Sequence, residues 1–297
     1  MYMMHRPSDA LGWDIPKRYL RLTLKRGKTE ELNIVTEEMR VKFNTTAAVT
    51  GALTEANIVI SGLAVKTMFD VSTSTTQWIK KWVQNHIIIE AGTYDNHAVI
   101  FEGTVMQAQP DLTSADYTLT IKAMSGFGTI TEPKSVSYPG TVPVSQIARA
   151  LATENGLAFV DGVKDDSIRI TDFTARETSL VEILRTLGQA TGTELYVDTN
   201  RLYFKRQGAP LENKGTLVIK PEEIVGIIEP NQLGCNVKVK LKVGAQNGMN
   251  VKLNSAKYPV LNTQQYYLQT VAHSGDTFGA DWYTTLELVK IGLGFRK

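Results

Sequence analysis

Four histidines, one cysteine and a few carboxylate pairs hold whatever reactive chemistry this 297-residue chain carries. His5, His86, His97 and His273 lack the H-x-x-x-H or H-x-x-E-H spacing that aims two imidazoles at one metal, and no cysteine adjoins them. No metal site is expected. His273, Ser274 and Asp276 supply the residue types of a hydrolase triad, but neighbours on a strand point to opposite faces, so His273 and Ser274 diverge. They read as polar turn residues. The acidic pairs Glu37-Glu38, Asp165-Asp166 and Glu222-Glu223 are adjacent in sequence, whereas glycosidase carboxylates face one another ~5–10 Å apart across a cleft. Solvated charge explains them better. Gly126-Phe127-Gly128 lacks the third glycine and the helix start of a phosphate-binding loop. No catalytic, cofactor-binding or metal-binding residue is assigned on these grounds, and the protein is expected not to be an enzyme.

Composition narrows the partners. The formal net charge is +2 with no long Lys/Arg run, which predicts neither avid nucleic-acid binding nor a polybasic membrane patch. Cys235 is the only cysteine, so an internal disulfide and a multi-thiolate metal site are excluded. It reads as a small buried side chain and is compatible with folding in a reducing cytoplasm. The N-terminal Met1-Tyr2-Met3-Met4-His5-Arg6-Pro7-Ser8-Asp9 has no apolar core of a signal peptide, and no segment approaches the ~18 apolar residues that span a bilayer. Neither secretion by a standard signal nor membrane insertion is expected. Lys238, Lys240 and Lys242 alternate with apolar residues, which predicts a solvated or edge-protecting face. The alternative is contact with an acidic partner or anionic cargo across a subunit interface.

A chain this long buries about three quarters of its unfolded surface, enough for two or three cores. Three blocks separate. From about Tyr19 to Glu132 the pattern is strand-rich. A hairpin is expected over Arg18–Leu24 and Leu32–Val35, and strands over Ala98–Thr104 and Tyr117–Ala123. The β-branched runs near Asn57–Leu63 and His86–Glu90 read as buried on both faces. One helix is expected after the hydroxyls of Ser72 to Thr75, with Trp78, Ile79, Trp82 and Val83 on one core-facing side.

The second block, about Tyr138 to Gly208, holds an internal repeat. Val144–Val160 overlays Leu180–Tyr196 without gaps, matching Ile147 to Ile183, Leu151 to Leu187 and Gly156 to Gly192. Each copy reads as a helix stopped by a glycine and followed by a strand. Second strands are expected at Ser167–Thr171 and Arg201–Lys205, in a compact α+β unit of two related halves. The third block, from about Leu211, returns to strands at Thr216–Ile219, Ile224–Glu229 and Asn236–Val243. It closes on a hairpin whose strand Trp282–Val289 sets Trp282, Thr284, Leu286 and Leu288 on one face. A Ser274-Gly275-Asp276 turn is expected before it, with Gly275 and Gly279 admitting positive φ and Asp276 closing an Asx-turn.

The closing block, His273-Ser274-Gly275-Asp276 followed by Gly279-Ala280-Asp281-Trp282-Tyr283-Thr284, resembles the last barrel of baseplate hub proteins of contractile-tailed bacteriophages. The tract Ile87 to Gly126, with Ala91-Gly92, Ile100 to Val105, Gln107-Ala108-Gln109-Pro110 and Leu119 to Gly126, resembles the same family's tail-tube-related barrel. The resemblance implies an α+β, β-rich fold: two tail-tube-like antiparallel β-barrels, residues 1–132 and 210–297, flanking an α+β insert at 133–209. It implies a structural hub, a homotrimeric symmetry adaptor between a hexameric tail tube and a trimeric central spike. Tail tube protein, spike, other baseplate proteins and tape measure are the implied partners. DNA passes the channel without specific binding, and no cofactor is implied. The virion baseplate, assembled in the host cytoplasm, is the implied location. With the sequence stopping at Arg296-Lys297, no fused spike or lysozyme domain is expected, which disfavours a secretion spike. The rival readings are a tail-tip cell-wall hydrolase and a tube-end adaptor of a related contractile injection system.

Overall fold

Leucines 20, 22 and 24 alternate with polar residues, and all three are buried on one side of β1 (Arg18–Arg26). β1 pairs antiparallel with β2 (Glu30–Val35), as the expected hairpin requires. The computed structural model describes residues 17–26, 30–35, 39–47, 53–72, 85–113, 116–126, 132–164, 166–198, 201–211 and 214–292. The first block continues through β3 (Arg40–Ala47), β4 (Glu55–Ser61), β5 (Asn85–Thr93), β6 (His97–Asp111) and β7 (Thr118–Met124). β4 and β5 bury one face, not two: Ala56, Ile58 and Ile60 are buried while Asn57 is exposed and Val59 half-exposed. Antiparallel neighbours leave one face of each strand to solvent, so a β-branched run here does not signal double burial.

The helix expected to carry Trp78, Ile79, Trp82 and Val83 lies outside the described residues. Ser72, the one described residue of the Ser72 to Thr75 hydroxyls, follows the last residue of a shorter, earlier helix. Its N–H donates to the Met68 and Phe69 carbonyls at the close of α1 (Val65–Val71).

The middle block runs β8 (Lys134–Pro143), α2 (Val144–Glu154), β9 (Ala158–Asp161), β10 (Arg169–Thr178), α3 (Leu180–Thr191), β11 (Thr193–Asp198) and β12 (Arg201–Arg206). Ser179 caps α3 by accepting the Glu182 N–H, and Gly192 ends it at φ +65°. Gly156 takes the matching conformation, φ +66°, after α2. Ile147, Leu151, Ile183 and Leu187 are fully buried in one core, as the repeat predicts. Strands stand where the second strands are expected, as β10 and β12, and their pairing divides the repeat differently. β10 does not return to β9; it pairs antiparallel with β8. The offset that carries Ile147 onto Ile183 also carries β8 onto β10, so each copy is strand–helix–strand and β10 leads the second copy. β10 is held there by its apolar side: Phe173 is buried, and Val136, Tyr138, Val142 and Ile170 pack on the same core. β12 closes the unit, antiparallel to β11 and parallel to β9.

The third block holds β13 (Thr216–Ile219), β14 (Glu229–Pro230), β15 (Gly234–Lys240), β16 (Asn250–Leu253), β17 (Tyr266–Asp276) and β18 (Trp282–Lys290). Of the strand expected at Ile224–Glu229 only the ends pair, Ile224 in a single bridge to Val239 after a 3-10 turn at Pro221–Glu223 and Glu229 with Asn236 in β14. Gly226 at φ +79° breaks the extended run. Strands of the first and third blocks form one 13-stranded sheet, in the order β14-β15-β18-β17-β3-β4-β7-β6-β5-β1-β2, with β16 beside β17 and β13 beside β16. Among the described residues this pairing is an open path, and no closed barrel appears. Among the described residues each block has its own hydrophobic core, a small fourth cluster of Tyr196, Tyr203 and Leu211 lies between the middle and third blocks, and Trp282 of the third block packs into the first core.

Candidate functional site at the seam of the two sheet blocks

β17 is shared. Its residues Tyr266 to Gly275 pair with β18, and Val271 to Asp276 also pair with Ala47 to Lys42 of β3. The predicted Ser-Gly-Asp turn is therefore strand, and the chain reverses later, between Asp276 and Trp282. The Asx-turn is present, with the Phe278 N–H donating to Asp276 Oδ1 at 3.0 Å. Neither Gly275 nor Gly279 has positive φ. Space demands them instead. A Cβ on Gly275 would lie 2.4 Å from the Phe43 ring and 2.8 Å from Trp282, and one on Gly279 would lie 2.5 Å from the Asp276 carboxylate.

The seam is clasped at this end. Asp276 accepts two hydrogen bonds from Arg40, Nε at 3.1 Å and Nη2 at 2.7 Å, a bidentate charge-assisted pair. Burial raises the Asp276 pKa, but the Arg40 hydrogen bonds and the Phe278 and Gly279 N–H groups outweigh it and hold the carboxyl below its usual range. Arg18 donates to the Asp276 and Gly279 carbonyls at 2.8 and 2.6 Å and lies 5.4 Å above the Trp282 ring. Trp282 in turn donates its indole N–H to the Gly92 carbonyl at 3.2 Å and meets Phe43 edge-on. Three elements of the first block thus grip one turn of the third. Sequence reading marked the turn and missed Arg18 and Arg40, whose partners lie more than 230 positions away.

The triad residues do not converge. His273 is buried, its Nδ1 within 2.9 Å of the Thr284 hydroxyl, and burial lowers its pKa to about 4. Ser274 is on the opposite, solvent-facing side. Among the acidic pairs, Glu223 is ion-paired with Lys242 and accepts the Lys220 N–H at 2.9 Å, and Asp166 accepts from Ser145 at 2.5 Å. Glu37, Glu38, Asp165 and His5 lie outside the described residues. His86 sits 3.0 Å from Glu102, and His97 sits 3.6 Å from Glu90. No group of three metal-ligating side chains occurs among the described residues. Burial pushes the Cys235 thiol up to about 11. Of the three alternating lysines, Lys242 is ion-paired, Lys238 lies 4.1 Å over the Tyr283 ring, and Lys240 is exposed.

The middle block meets the sheet around a cleft of about 510 Å³ lined by residues of all three blocks, among them Thr45, Glu102, Arg201 and His273. Its attachments are a few side chains. Thr54 donates to Asp198 at 3.0 Å, the Tyr196 hydroxyl donates to the Asn247 carbonyl at 3.5 Å, Leu53 packs on the middle block's core, and Tyr196 and Tyr203 pack on Leu211. Lys205 is buried in an ion pair with Glu194, with its ammonium 4.8 Å over the Tyr267 ring of β17.

Comparison with known proteins places this arrangement. No curated protein matches the chain in sequence. The fold is similar to a 43 kDa tail protein of prophage MuSo2 from Shewanella oneidensis, TM-score 0.60 at 10% identity, over 91% of this chain and 98% of that one. It is also similar to a tail protein from Neisseria meningitidis MC58, TM-score 0.61 at 10% identity, over 91% and 96%. A type VI secretion component of E. coli, described as similar to the T4 tail proteins gp27 and gp5, gives TM-score 0.57 at 12% identity over 90% and 76%. The model of one family, described as Baseplate hub gp41, matches residues 19–287, and the chain belongs to that phage baseplate hub family.

Proposed function

We propose that this protein is a non-enzymatic hub subunit of a phage tail baseplate, a symmetry adaptor between a hexameric tail tube and a trimeric central spike. One observation carries the reading: β17 joins both β-rich blocks into a single sheet, giving each chain two strand-rich units in fixed relation. Three such chains closed head to tail present six units to a sixfold tube. The three cores support domains at 1–132, 133–209 and 210–297, and the two outer domains act as barrel-like halves completed in the ring. Tail tube protein, spike, neighbouring baseplate proteins and tape measure are the partners, and DNA crosses the central channel without sequence recognition. The protein works in the virion and assembles in the host cytoplasm.

The mechanism is geometric. A wall that keeps its shape passes symmetry from tube to spike, and the ladder and clasp of the seam oppose rotation of one block against the other. Mass measurement of the purified protein, with copy counting in tail tips, tests the reading. A homotrimer is expected, with no release of fragments from peptidoglycan at acid, neutral or alkaline pH. A hexamer in the tail, or peptidoglycan turnover lost on mutating one carboxylate, contradicts it.

A further inference from the structure

The shared strand has a consequence at its solvent side. Cross-strand partners run in one unbroken row over seven strands and both blocks: Lys240, Tyr283, Ser274, Asn44, Asn57, Lys122 and Gln107. Lys240, Asn44, Asn57, Lys122 and Gln107 are exposed, and Ser274 and Tyr283 are half-buried. The next row, from Lys238 through Thr285, Ala272, Thr46 and Glu55, continues the same face. The alternate residues Phe43, Thr45, Ala56, His273 and Trp282 point the other way, toward the cores and the cleft, so the middle block sits on the opposite side.

This face has the composition of a wall for a polyanion that moves. It is hydroxyl, amide and lysine, and none of the large exposed apolar side chains lies on either row. The two rows carry Lys122, Lys238 and Lys240 against Glu55, an excess of two positive charges. Lys122 and Lys240 have no acidic partner among the described residues, and they stand five strand spacings apart, about 24 Å. On the flanking rows Arg40 and Lys42 share the carboxylate of Asp276, at 2.7 and 3.9 Å. Resting on the reading that the ring encloses DNA, we infer that this two-block face is the duplex-facing wall and that Lys122 and Lys240 give it a sparse positive potential. Two ammoniums per chain attract phosphates by counterion release yet are too few to hold the duplex.

The test measures affinity of the full-length protein for a labelled DNA duplex against salt concentration, with its mass recorded in parallel. Weak, salt-sensitive binding is expected. Lys122→Gln and Lys240→Gln should each flatten the log–log salt slope by about 1 per chain in contact with the duplex, about 3 for a trimer, and the double variant by about twice as much. Lys257→Gln, an exposed lysine off this face, should leave the slope unchanged. An unchanged slope in the double variant, or no duplex binding at low salt, overturns the inference. The ring is judged separately: a monomer that still loses slope on removing Lys122 and Lys240 keeps the face and sinks the ring. A trimer that loses none keeps the ring and sinks the face.

Discussion

The two junctions of this molecule are built differently. Where the sheet blocks meet, six residue pairs of backbone ladder join β3 to β17, and Arg40, Arg18 and Trp282 lock the end. Where the middle block meets the sheet, a few side chains, among them Thr54, Tyr196 and Leu53, span the rim of a cleft. A ladder resists shear along its whole length, whereas isolated side-chain contacts fail one at a time. The seam should behave as one rigid plate, and the middle block as a unit held by a few contacts.

The largest effect that separates them concerns the buried ion pair. Lys205→Ala leaves Glu194 buried without its cation, at a cost of about 3–5 kcal/mol. Chemical denaturation should show this as an early loss of the middle block, whose β12 carries Lys205, while the sheet unfolds at its original midpoint. One cooperative transition shifted as a whole would show instead that the two junctions are equally stiff.

The seam has its own pH signature. Burial lowers the His273 pKa to about 4 in the folded state against an ordinary 6.5. Between those values the unfolded chain binds more protons than the folded one, so stability is complete above 6.5 and falls as pH drops toward 4. The loss amounts to about 3 kcal/mol by the usual conversion of 1.36 kcal/mol per pKa unit. His273→Gln should remove most of the decline over that window in denaturation midpoints measured against pH. An identical decline in the variant would place the titration elsewhere.

A smaller effect probes close packing at the clasp. Gly275→Ala puts a methyl within 2.4 to 2.8 Å of two aromatic rings, and overpacking of this kind costs about 1–3 kcal/mol. Gly226→Ala, in a loop where a Cβ would meet nothing, should cost only the strain of its positive φ. Thermal melting of both variants gives the comparison, and equal losses would remove the steric account of Gly275.

Local pattern carried what is local. The alternation of Leu20, Leu22 and Leu24, the periodicity of Ile147, Leu151, Ile183 and Leu187, and the stop at Gly192 each follow from spacing within one element. The pairing of β10 with β8 was not readable, because two strand–helix–strand copies and two helix–strand–strand copies place the same residues at the same offset. Gly275 looked like a turn glycine, since its true constraint comes from Phe43 in another block. The seam was hidden for the same reason. Arg40 and Asp276 are ordinary surface charges in sequence and become a clasp only when β17 reaches β3.

The central claim is one rigid two-block sheet per chain, three chains to a ring. A structure of the assembled tail tip tests it most directly. The account predicts three copies with Val271 to Asp276 still paired to β3 in each, and the row from Lys240 to Gln107 facing the channel. Six copies, or three copies in which β17 has parted from β3, would contradict it.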